Sequence, residues 1–141
     1  MADDLPAAPK HNTIVKLFPC VLIVVGMLVY ANSINTPFIF DDTVHIVTNR
    51  RIRSFDTLPE LLSNTTRPVM KLTLAVNYAI GQSNVTSWHV VNVTIHILAA
   101  MTLFGVVRRT LLTDLLRDRY ATVAPWMAFA IAIIWLVHPL Q

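Results

Sequence analysis

Three stretches of this chain, residues 14–31, 87–107 and 121–141, are apolar almost without interruption. A run of that length cannot serve as one face of a helix or strand in a water-soluble core, where apolar residues recur at a period of 3.6 or 2. In hydrocarbon the backbone N–H and C=O groups find no water. Each such run must therefore close its hydrogen bonds internally, as a helix. The rest of the composition agrees: 55% of the residues are hydrophobic and 13% charged, against about 25% charged in ordinary soluble domains. The net charge of +3 is small and scattered, which excludes a nucleic-acid partner and makes membrane lipid the expected one. The predicted class is an all-α integral membrane protein with about three transmembrane helices.

The first run, residues 14–31, is about 27 Å long as a helix, close to the roughly 30 Å of a hydrocarbon core. Lys16 can snorkel at one end and Tyr30 can anchor the other. Pro19 is expected in the first turns, where its missing N–H costs least. Tyr30-Ala31-Asn32 is a poor leader-cleavage site, so the run reads as a retained anchor after a cytoplasmic tail, residues 1–13. The second run begins at Trp88, read as a belt residue, and stops at Arg108-Arg109. Cys20, the only cysteine, lies inside an apolar run and reads as a small hydrophobe.

Basic residues near the span ends set the orientation. Lys10 and Lys16 precede the first span, and Arg108, Arg109, Arg117 and Arg119 crowd the short connection after the second. The tail and residues 108–120 are therefore expected in the cytoplasm, and residues 32–86 outside it. Within residues 108–120, TLLTDLLRDRY sets leucines against charges, an amphipathic surface segment or an extension of the second span. In the outer loop, Pro68 opens a helix over residues 67–81, with Thr66 or Arg67 as cap and Gly81 as stop. Val69, Leu72, Val76 and Ile80 recur along it at helical spacing. It is too short to span, so it is expected to lie in the interface.

Asp41-Asp42 is the sharpest chemical feature. The pair lies between Phe38-Ile39-Phe40 and Val44, Ile46 and Val47. Adjacent carboxylates between apolar flanks can accept a proton from a nucleophile or coordinate a divalent cation. They can equally form a turn between two strand-like runs. In the second span His89, Asn92 and His96 fall within a stripe about 60° wide. Polar groups at membrane depth face protein or water, so the stripe is expected to face neighbouring helices. His138 emerges on the outer side, as do His89 and the Asp pair. Arg67 could bind a lipid phosphate or plain headgroups. Asn64-Thr-Thr and Asn84-Val-Thr match the N-glycosylation acceptor pattern on that side.

Five blocks, in order, carry a family resemblance: Tyr30-Ala31-Asn32-Ser33 with Pro37-Phe-Ile-Phe-Asp41-Asp42; Arg67-Pro68; Leu74-Ala-Val-Asn77-Tyr78-Ala-Ile-Gly81; His89-Val-Val-Asn92-Val-Thr-Ile-His96; and Trp135-Leu-Val-His138-Pro139-Leu140-Gln141. Together they resemble the start of the transmembrane and tetratricopeptide-repeat protein O-mannosyltransferases and their bacterial relatives. The resemblance implies the C-type glycosyltransferase fold and a polyprenyl-phosphate sugar as donor, with an extracytoplasmic protein or glycan as acceptor. Asp41 or Asp42 would then activate the acceptor hydroxyl, a divalent cation being the one cofactor the pair could hold. Arg67, His89 and His138 would contact substrate. Members of that family continue through further helices and repeats, so this chain is expected to be an N-terminal fragment, inactive alone, of a bacterial cytoplasmic membrane protein rather than one of the endoplasmic reticulum. The alternative is a non-catalytic membrane anchor for a tetratricopeptide-repeat scaffold, which needs the spans but not the acidic pair.

Overall fold

The computed structural model describes residues 13–63 and 65–138. The first acceptor asparagine, Asn64, and the terminal Pro139-Leu140-Gln141 lie outside the described residues. Among these there is no strand, and the class is all-α as expected. The helices are α1 (Thr13–Tyr30), α2 (Leu58–Ser63), α3 (Pro68–Gly81), α4 (Val85–Leu111), α5 (Asp114–Tyr120) and α6 (Ala124–Val137). Two are long and apolar enough to cross a membrane, within Ile14–Ser33 and Val85–Leu111. A third span exists if α5 and α6, bent by 95° at a short break, are counted together.

Several local expectations are corrected. Pro19 lies inside α1 rather than in its first turn, so the Val15 carbonyl loses its usual donor there. Arg108-Arg109 end the apolar stretch but not the helix, because α4 runs on to Leu111. Arginine is a good helix former, and the change of solvent does not interrupt the backbone ladder. Past a turn at Leu112-Thr113, the amphipathic segment forms a separate helix, α5, with Leu115 almost wholly exposed.

The chain divides into two compact units. One comprises residues 13–26 and 97–138 of the described chain. Its core holds Leu22, Ala100 and Leu136, with Ala124, Ala128 and Ala132 as a fully buried stripe every fourth residue of α6. Small residues at that spacing let helix backbones approach closely in lipid, where packing rather than water expulsion drives association. Phe18 stacks on Phe129 with ring centroids 4.4 Å apart and takes Trp126 and Phe104 edge-on at 4.9 and 6.2 Å. Gly26 fits against Ile97, where an added Cβ would stand 2.6 Å from Cγ1.

The other unit is Met27–His96. Its core is Ile46, Ile52, Leu61, Ala75 and Trp88, with Phe38, Leu58, Leu74 and Tyr78 packed around them. Trp88 is not a belt residue. It is 2% exposed, sets its ring edge-on to Phe38, and donates its indole N–H to the Gln82 carbonyl at 2.7 Å. The helix read over residues 67–81 is α3, with Pro68 in its first turn, but the cap differs from expectation. Arg67 offers no side-chain cap; instead its own N–H donates to Thr65 Oγ1 at 3.1 Å. The helix ends at Gly81 as expected, although it is Gln82 that takes the positive φ (48°). Gly81 is required for a different reason: a Cβ there would collide with the Ser87 side chain. Val69, Leu72, Val76 and Ile80 form the exposed stripe of α3, while Ala75, Leu74 and Tyr78 face the core.

Candidate functional site

The segment leading to the acidic pair leaves α1 through a short 3₁₀ turn, Ala31–Ser33, tied by Ser33 Oγ donating to the Tyr30 carbonyl at 2.8 Å. Thr36 is then held by α4, because His89 Nε2 lies 2.8 Å from its carbonyl oxygen. A carbonyl only accepts, so His89 carries its proton on Nε2 in this contact. Thr86 Oγ1 donates to Asn35 Oδ1 at 3.2 Å one turn earlier. Two residues of α4 thus hold down the strand of chain that delivers Phe38, Ile39 and Phe40.

Asp41 and Asp42 lie in a turn, as one of the two readings expected, but no strand flanks it among the described residues. A reverse turn over residues 39–42 contains both, the Asp42 N–H donating to the Ile39 carbonyl at 3.1 Å, with Phe40 in the left-handed region (φ 47°) and 88% exposed. The chain then winds into a π-helical turn, Thr43–Val47. A bulky residue at positive φ is strained, and π-turns are rare; both are enriched where a chain presents functional groups. Asp41 is exposed and Asp42 half-buried. Among the described residues no hydrogen bond or ion pair engages either carboxylate, and four of their neighbours, Ile39, Phe40, Val44 and Val47, expose apolar side chains. Two acceptors presented together beside apolar surface can take a proton or a hydroxyl hydrogen bond from an incoming group.

The remaining sequence-predicted residues are dispersed. Arg67 is exposed at the start of α3, and no hydrogen bond or ion pair joins it or His89 to Asp41 or Asp42 among the described residues. His138 belongs to the other unit, exposed just past α6 with its N–H donating to the Trp135 carbonyl at 3.3 Å. Of the polar stripe on α4, His96 Nε2 stands 3.2 Å from the Tyr30 hydroxyl with the rings edge-to-face, and His89 meets Thr36, whereas Asn92 is exposed. For a divalent cation the donor set is small. No group of three His, Cys, Asp or Glu occurs among the described residues, against the six to eight oxygen ligands of calcium, and no step below is routed through a metal.

Several basic side chains of the Met27–His96 unit have partners within that unit. Lys71 Nζ donates toward His45 Nδ1 at 3.4 Å. Arg53 donates to the Val47 carbonyl at 2.7 Å and lies 5.7 Å over the Tyr78 ring. Arg51 meets Glu60 at 3.4 Å. Asn77, on α3, is buried with an unpaired Oδ1. Arginine clusters in a sequence usually mean a solvated face, and only the fold shows which of them share one.

Comparison with known proteins bears out the resemblance. The chain is 27% identical to Protein O-mannosyl-transferase Tmtc1 of Drosophila melanogaster, in an alignment covering 96% of this chain and 16% of that protein. It is 24% identical to Protein O-mannosyl-transferase F38B6.6 of Caenorhabditis elegans, over 86% of this chain and 18% of that protein. The chain therefore spans less than a fifth of the length of either relative. No protein-family profile and no solved structure matches it. Both relatives are animal proteins, so the expectation of a bacterial membrane has no support.

Proposed function

We propose, on the premise of this distant homology to animal protein O-mannosyl-transferases, that the chain is the membrane-embedded start of a glycosyltransferase. In this reading a sugar moves from a polyprenyl-phosphate carrier to a hydroxyl of an extracytoplasmic protein. The C-type fold belongs to the same reading. The observation that carries it is the presentation of Asp41 and Asp42, unengaged, between exposed apolar side chains at a strained turn, within a chain similar over most of its length to two such transferases. One carboxylate accepts the proton of the acceptor hydroxyl as its oxygen bonds to the anomeric carbon. The bond from that carbon to the phosphate oxygen breaks, and the lipid phosphate leaves with the electron pair. His89 acts at one remove, holding through Thr36 the segment that delivers the pair. Arg67 contacts the carrier or acceptor in this reading.

The test is transfer of labelled mannose from a prenyl-phosphate carrier to protein hydroxyls, in membranes carrying the longest polypeptide that the gene encodes. Transfer above that of membranes lacking it is expected. Its absence would leave the anchor reading in possession.

The same reading puts residues 32–86 in the lumen of the endoplasmic reticulum and residues 108–120 in the cytosol. With single cysteines in sealed microsomes, an impermeant thiol reagent should label Thr113→Cys at once and Ser54→Cys only after detergent. Both positions are exposed, so the reverse pattern would invert the topology rather than report burial.

A further inference from the structure

The Met27–His96 unit contains a cavity of about 490 Å³ whose wall is built from successive short segments. The π-turn contributes Val44 and, with the residues after it, Thr48 and Asn49; the 3₁₀ turn Arg50–Ile52 contributes Arg50 and Arg51; and α3 contributes Lys71. Leu61 and Thr65 complete it. Three of the lining residues are cations, three are neutral hydrogen-bonding residues, and none is a carboxylate.

These cations are held in place. Ile52, 2% exposed, fastens the arginine turn to the core. Asn49 clamps it from the other side, donating from Nδ2 to the His45 carbonyl and accepting the Arg51 N–H, each at 3.1 Å. Lys71 projects from α3 and is steadied by His45 Nδ1. Among the described residues, neither Arg50 nor Lys71 meets a carboxylate, and Arg51 meets only Glu60 in a pair that is more than half exposed on both sides. An exposed pair of that kind is weak and exchangeable. Three cations lining one cavity, with a single exposed carboxylate against one of them, favour an anion there. Planar guanidinium forks beside an ammonium match the oxygens of a phosphate.

The rim tells what the phosphate is attached to. Val44 at the cavity is 64% exposed, Val47 follows it on the same turn, and α3 carries its exposed stripe of Val69, Leu72, Val76 and Ile80 away from Lys71. Exposed apolar surface of this extent beside a cationic pocket suits a ligand with a charged head and a hydrocarbon tail.

We infer that this cavity binds the phosphate group of an amphiphile, with Arg50, Arg51 and Lys71 as the holding side chains. Identification of that amphiphile with the sugar carrier rests on the function proposed above; the phosphate site itself does not.

The full chain in maltoside micelles, which carry no phosphate, is titrated with farnesyl phosphate, phosphatidylglycerol and inorganic phosphate, bound ligand being read by native mass spectrometry. Farnesyl phosphate is expected to bind at least tenfold more tightly than inorganic phosphate. The double variant Arg50→Gln, Lys71→Gln should weaken it at least tenfold with an unchanged circular dichroism spectrum, and Arg51→Gln should weaken it less, since Glu60 already engages that side chain. Equal binding by the double variant and the parent, or no binding of farnesyl phosphate at all, overturns the inference. Loss of binding in Arg67→Gln alone would overturn it too, moving the phosphate to the start of α3 while leaving the transferase reading intact. Phosphatidylglycerol matching farnesyl phosphate would support the phosphate site but withdraw the sugar carrier as its ligand.

Discussion

Replacing Asp41 or Asp42 by Asn in the longest polypeptide the gene encodes should lower sugar transfer by about 10²–10⁴-fold for one of the two and far less for the other. That range is the usual contribution of a general base. One hydroxyl needs one base, so equal sensitivity is not expected. Asp41 is the more exposed of the pair and Asp42 the more enclosed; the enclosed carboxylate, with less water to compete, interacts more strongly with a proton donor, and Asp42 is therefore the expected base. The change keeps side-chain volume and breaks no hydrogen bond or ion pair with a described residue, so membrane insertion and the amount of protein should be unaltered. Initial rates at saturating acceptor, normalised to protein in the membrane, decide the matter. If both Asn variants transfer as fast as the parent, the pair is merely the polar lip of a turn and the catalytic assignment is lost.

Trp88→Ala should destabilise the Met27–His96 unit by about 3–5 kcal/mol, the cost of emptying an aromatic site in a packed core. Trp88 touches the centre of that unit, and its indole N–H ties the α3–α4 connection through Gln82. The readout is backbone amide exchange along α3, which should accelerate by at least about a hundredfold, at about 1.4 kcal/mol for each factor of ten. Trp88→Phe keeps most of the ring and loses only the hydrogen bond to the exposed Gln82, so its effect should be a small fraction of this. Exchange unchanged in Trp88→Ala would mean that the unit is held by the membrane and not by its own core.

The helices were legible because lipid leaves one solution: residues 14–31 and 87–107 had to be helical, and they lie in α1 and α4. α3 was legible from Pro68 and the spacing of Val69, Leu72, Val76 and Ile80, and the face those residues mark is exposed, as a helix read as interfacial requires. Apolar spacing marks a face without saying whether protein or lipid covers it, and the same ambiguity misplaced Trp88. The alanine stripe of α6 passed unnoticed because alanine is common in apolar runs, and its meaning lies in what it lets approach. At the candidate site the acidic pair was visible as chemistry, but the strained Phe40 and the π-turn were not, since neither has a residue signature. The cavity cations were separated by some twenty positions in the chain, from Arg50 and Arg51 to Lys71, and only the packing of Ile52 and α3 on one core brings them to one wall.

The helix lengths bear on the bilayer that would surround them. The 18 residues of α1 make about 27 Å, and the 14 of α6 about 21 Å. Bilayers of the early secretory pathway are about 27 Å thick in their hydrocarbon, whereas a sterol-rich plasma membrane reaches about 32–33 Å. In the thicker membrane both helices would fall short, and either the lipid would have to thin around them or polar residues such as Lys16 and Tyr30 would be drawn inward. α4, with 27 residues and about 40 Å, is long enough for either bilayer, so the mismatch would fall on the shorter helices alone.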